Sequence, residues 1–136
     1  MSEPQAPIIY PVLRSTDPAA GMAFLEKAFG FRVHEVHEGP DGEIAHAEVA
    51  FGDGMVMVGP SGGGDAVFDT GAQSIYVVAD DVDTLHDRAV AAGAEIVFPL
   101  TDQDYGSRDF SARDPDGHVW SFGTSRPRVA DPSLGS

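Results

Sequence analysis

One pattern occurs twice in this chain. An apolar run, Ile8 to Leu13, leads into Ser15-Thr16-Asp17-Pro18 and a stretch of helical spacing that closes at Gly30. A second run, Ser74 to Ala79, leads into Asp80-Asp81-Val82 and another helical stretch that closes at Gly93. Each glycine is followed at once by a new extended segment, Phe31-Arg32-Val33 in the first copy and Ala94-Glu95-Ile96-Val97 in the second. A repeat of about 64 residues is too long for a solenoid unit and too short for a comfortable independent domain. Two half-domains sharing one sheet system satisfy both limits.

The local signals fill in each half. Ile8 to Arg14 reads as a strand, with Pro11 inside it demanding an edge position or a bulge. Asp17 caps and Pro18 occupies the first turn of a helix whose apolar face is Met22, Leu25 and Phe29, with Gly30 as its stop. Strands follow over Phe31–Glu38, Glu43–Phe51 and Met55–Val58, separated by the turn formers Gly39-Pro-Asp-Gly42 and Gly52-Asp-Gly54. The second copy repeats the order. It has a strand from Ser74, a helix with Val82, Leu85 and Ala89 on one side, a strand from Ala94, and two more strands around Asp109 and Trp120. Each half is therefore βαβββ, an α+β arrangement. One domain spans 8–124, with modules 8–59 and 72–124 joined by a flexible linker 60–71. Residues 1–7 are a loose lead-in and 125–136 a flexible tail.

Strand alternation assigns faces. In the strand 43–51, Ala45, Ala47, Val49 and Phe51 form an apolar face suited to lie under a helix. His46 and Glu48 then project into whatever the opposite face encloses. Trp120 and Phe122 share a face with His118, which predicts that both aromatics pack beneath a helix and that His118 is a structural residue bonding the nearby turn.

Composition excludes several classes. With no cysteine there is no disulfide, thiol nucleophile or thiolate metal site. Eight basic against 22 acidic residues give a formal charge of −14, a surface that repels phosphate backbones and suits a cationic ligand. No apolar stretch is long enough for a membrane span, and the first residues lack a secretory signal, so the cytoplasm is the expected location. Gly62-Gly-Gly64 lacks the Lys-Ser/Thr of a phosphate loop, and no Gly-x-Ser-x-Gly elbow supports a serine hydrolase.

The doubled pattern carries Leu13-Arg-Ser-Thr-Asp-Pro18 through Phe29-Gly30-Phe31 in the first copy. In the second it carries Tyr105-Gly-Ser-Arg108 before Asp114-Pro-Asp-Gly-His-Val-Trp-Ser-Phe122. With these motifs the chain resembles the vicinal oxygen chelate superfamily, which includes glyoxalase I, extradiol dioxygenases and bleomycin-resistance proteins. The resemblance covers roughly residues 8–124. It implies paired βαβββ modules whose mixed sheets curve around a cavity, usually in a homodimer. In the family's metal enzymes the ligands come from the first and last strands of each half. Transferred by position, those ligands become Tyr10, Ser74, Ser121 and Val56 or Met57. Divalent ions prefer imidazole nitrogen or carboxylate oxygen, so no family-type metal and no cofactor are expected. His46 and Glu48, with His34 on the preceding strand, are the residues that could rebuild a site.

The pocket expected instead is lined by Tyr10, His46, Glu48, Ser74, Tyr76 and Ser121, with Tyr105 and Arg108 at its rim. For Arg108, pairing with neighbouring acids such as Asp104 and Asp109 weighs against anion binding. An aromatic cup with a few polar groups is how small-molecule pockets are generally built. The favoured function is metal-independent binding of a small molecule, drug or metabolite, for sequestration. A metal-dependent lyase or dioxygenase using His46 and Glu48 is the rival, and a partner-binding subunit without a small ligand is the third class.

Overall fold

The computed structural model describes residues 7–62 and 66–127. The chain runs β1 (Val12–Ser15), α1 (Pro18–Phe29), β2 (Arg32–Glu38), β3 (Ile44–Phe51) and β4 (Gly54–Pro60). After a short 3-10 turn (Ala66–Phe68) come β5 (Ser74–Val78), α2 (Val82–Ala91), β6 (Glu95–Asp102), β7 (Arg108–Arg113) and β8 (Val119–Gly123). Two four-stranded sheets result, ordered β1-β4-β3-β2 and β5-β8-β7-β6. In each, the first strand pairs in parallel with the last and the other pairings are antiparallel. The two sheets have the same topology, as the repeat requires.

The helices form where capping and apolar spacing coincide. Asp17 accepts a hydrogen bond from the Ala20 amide at the start of α1, and Gly30 ends it in the left-handed conformation at φ 76°. Asp81 caps α2 through the Thr84 amide. One face of each sheet and the apolar stripes of both helices close into a single core. Phe29 of α1 lies 4.8 Å, ring to ring, from Phe122 of β8, and Phe31 lies 5.2 Å from Trp120. The first module's aromatics thus pack on the last strand of the second.

Polar contacts tie the same seam at both ends of α1. Arg88 of α2 donates to the carbonyl oxygens of Glu26 and Lys27, each at 2.9 Å, adding a side-chain donor at the end of the helix, where Glu26 also accepts from the Gly30 amide. Beyond the N-terminal end, Asp116 of the β7–β8 turn accepts from the Ser15 hydroxyl at 2.7 Å and from the Thr16 amide. Asp114 of that turn accepts from the His118 amide and from the Trp120 indole N–H. The Asp-Pro-Asp-Gly motif is therefore a staple between modules.

Several elements differ from the sequence expectation. The strand expected over Ile8–Arg14 begins only at Val12. Pro11 has no N–H to donate, and Ile8 and Ile9 are 92% and 80% exposed before it. The strand from Ala94 runs on to Asp102 through Pro99, because two register shifts against β7 let the proline fit an edge strand. His86 of α2 is half-buried, its ring edge-on to Phe110 at 5.1 Å. Residues 1–6 of the expected lead-in, 63–65 of the expected linker and 128–136 of the expected tail lie outside the described residues. No described helix is long and apolar enough to cross a membrane.

Candidate ligand-binding site

Each sheet gives one face to the core and leaves the other open. On the first sheet, Ala47 and Val49 of β3 are fully buried, whereas His46 and Glu48 alternate with them onto the open side. Across the ladder, Glu35 opposes Glu48 and His37 opposes His46. The register shifts by one residue between Val33 and Glu35, so His34 is an extra residue on β2 and joins Glu35 opposite Glu48. His34 Nδ1 lies 3.1 Å from Glu48 Oε1, and His46 Nε2 lies 3.6 Å from Glu48 Oε2. Toward β4 the same face deepens into a concavity of about 540 Å³ lined by Tyr10, Arg32, His34, Glu48, Met55 and Met57.

On the second sheet, Tyr76 of β5 opposes Ser121 of β8, and Ser121 opposes Ser111 of β7. The two serine hydroxyls are 2.7 Å apart. The Tyr76 hydroxyl donates to the Ser125 carbonyl at 2.6 Å, holding the chain just beyond β8. Tyr76 also borders a cleft of about 780 Å³ between the modules. That cleft runs beside β5, and Ile9, Phe51, Met55, Ile75 and Arg88 contribute to its walls.

The structure thus brings Tyr10 and Glu48 into one concavity with His46 beside Glu48, and it sets Tyr76 against Ser121. Ser74 is exposed at the start of β5, opposite Val119. Tyr105 and Arg108 are held by acids instead of facing either cavity. The Tyr105 hydroxyl donates to Asp109 at 2.8 Å, and that bond holds its pKa above the usual phenol value, so it stays protonated. Arg108 pairs with Asp83 at 2.7 Å and Asp102 at 3.0 Å, rather than with Asp104 or Asp109, and these bonds raise its pKa further. His118 is structural, as its sequence position predicts. Its Nδ1 accepts from the Gln73 amide, which leaves Nε2–H to donate to the Arg14 carbonyl.

The positions that correspond to the metal ligands of the resemblance supply a phenol (Tyr10), two hydroxyls (Ser74, Ser121) and either a buried Val56 or the Met57 thioether. Ser121 is already engaged with Ser111. A hard or borderline divalent ion finds no imidazole or carboxylate among them, so these positions do not fit a family-type metal. Sequence reasoning missed Glu35 as a member of the open face. The signal was present: Val33 and Val36, three apart instead of two, pair with the core-facing Val49 and Ala47. That spacing demands an inserted residue between them.

Comparison with known proteins agrees with this architecture. Residues 8–122 match the model of the Glyoxalase/Bleomycin resistance protein/Dioxygenase superfamily. An uncharacterized protein of Mycobacterium bovis is 34% identical over 125 residues, covering 86% of this chain and 82% of its own length. The crystal structure of TioX from Micromonospora sp. ML1 is 35% identical and superposes with a TM-score of 0.75, covering 90% of this chain and 98% of TioX. A mutant of glyoxalase I from Zea mays shares the fold at a TM-score of 0.70 and 21% identity, covering 87% of this chain and 45% of the maize enzyme.

Proposed function

The chain belongs to the glyoxalase/bleomycin resistance protein/dioxygenase superfamily, and we propose that within it this protein holds a small organic molecule without the aid of a family-type metal. The observation carrying this reading is the concavity on the open face of the first sheet, together with family-type donor positions that offer only Tyr10, Ser74, Ser121 and Val56 or Met57. Met55, Met57 and Tyr10 supply apolar and aromatic contact, and Glu48 with its histidines supplies polar anchors. That combination is typical of small-molecule sites. With −14 of formal charge on the chain, the ligand class that fits best is cationic, such as an amine-bearing drug or metabolite. Sequestration needs no further chemistry. In this reading the protein works in the cytoplasm as a homodimer, each open sheet face being covered by a second copy.

A thermal-shift screen of cationic and neutral aromatic compounds, run with and without EDTA, tests the reading. A ligand that binds only the folded state raises its stability by mass action. The expected result is a hit whose shift survives EDTA and shrinks in Tyr10→Ala and Glu48→Gln. Hits that vanish with EDTA would instead favour a metal-dependent lyase or dioxygenase.

A further inference from the structure

We propose that the β2–β3 ladder carries a divalent-metal site built from His34, Glu35 and Glu48, at a place distinct from the strand positions that hold metal in the family's enzymes. One ligand atom from each of these three residues lies within 4.8 Å of the other two. Four ligands around zinc, at bonds of about 2.1 Å, sit about 3.4 Å apart. The three atoms therefore need only small side-chain rotations to close on an ion, and His34 Nδ1 already stands 3.1 Å from Glu48 Oε1.

The site depends on the bulge. In a regular ladder His34 and Glu35 would point to opposite faces; the extra residue aims both at Glu48. Each carboxylate also has a histidine beside it: His46 Nε2 is 3.6 Å from Glu48 Oε2, and His37 Nε2 is 3.6 Å from Glu35 Oε1. The His37 and His46 rings lie 5.8 Å apart, side by side across the ladder. Neighbours of this kind orient the ligating groups of metal sites.

Charge favours the same reading. Glu35 and Glu48 face each other across the strands, and the side chains that flank them at short distance are histidines. Arg32 of the same strand instead donates to the Gly52 carbonyl at 3.2 Å. A divalent ion would neutralise the facing carboxylates and take imidazole nitrogen as its third ligand. That mixed donor set selects zinc, nickel or copper over magnesium and calcium. His34 and Glu48 also line the concavity assigned above to an organic ligand, and a Zn²⁺ titration without organic ligand tests the metal site alone.

Calorimetric titration of Zn²⁺ is run in about 0.15 M salt, which screens diffuse attraction to the acidic surface, with millimolar Mg²⁺ present throughout. The expected result is one Zn²⁺ per chain. His34→Gln and Glu48→Gln should each weaken binding at least tenfold, while Glu26→Gln on the exposed side of α1 leaves it unchanged. Circular dichroism of each variant shows that it is folded. Should one glutamine variant fail to fold, the other decides. No stoichiometric binding, equal binding by the glutamine variants, or displacement by Mg²⁺ would each overturn the site.

Discussion

At the scale of single residues, the aromatic end of the chain was the most legible part. Alternation placed Trp120 and Phe122 on the helix side, and both are fully buried. Strand parity cannot show why the tryptophan is specified: its indole N–H donates to Asp114 Oδ2 at 3.0 Å, and Asp114 also orders the turn that reaches across to α1. Trp120→Ala should therefore lower stability by about 3–5 kcal/mol, the range for emptying a large aromatic site, measured by urea unfolding. A loss below about 1 kcal/mol would mean that the core between α1 and β8 does not depend on this ring. His118 teaches the complementary lesson. A histidine beside a turn is suggestive of a site until both nitrogens are found occupied by backbone groups of β1 and of the segment before β5.

At the scale of elements, helices were read well because their limits are written in local chemistry, and strand ends were read poorly because partners decide them. Asp17 and Asp81 announce α1 and α2, and both caps form. Pro11 hints locally at where β1 begins, but its length is set by the four residues that pair with β4. The bulge in β2 falls between these cases: the Val33–Val36 spacing encodes it, but only against a known register. The Asp81 cap has a consequence that can be measured. The Thr84 amide and then the Thr84 hydroxyl hold the Asp81 carboxyl below its ordinary pKa. A depressed folded-state pKa gives stability that is fully present above the unfolded value, about 3.9. That stability is lost as pH falls through the folded value. Asp81→Asn keeps a capping oxygen but removes the ionisation. Wild type and variant should therefore differ in urea midpoint at neutral pH and converge in strong acid. A gap that stays constant with pH would show that the charge at this cap adds nothing to the folded state.

At the scale of the whole molecule, the repeat in sequence became a repeat in topology, yet the placement of the two modules was not legible. Residues far apart in sequence set it: Phe29 against Phe122, Arg88 at the end of α1, and Asp116 at its start. This packing puts both helices in the core with one face of each sheet, and among the described residues nothing covers the outer sheet faces. All seven residues of β2 are exposed, and Ile8, Ile9 and Phe98 stand out as apolar side chains at 92%, 80% and 66% exposure. Uncovered apolar groups of this size beside open sheet faces mark interaction surfaces. A second copy is the simplest partner, because a twofold interface presents the same patch from both sides. Light scattering at micromolar concentration should then give twice the 14.3 kDa mass of one chain. Replacing Ile8 and Ile9 together by serine should shift the mass toward one chain without unfolding it, since neither side chain belongs to the core. A single-chain mass for the wild type would count against the twofold interface and leave each open sheet face to the ligand alone.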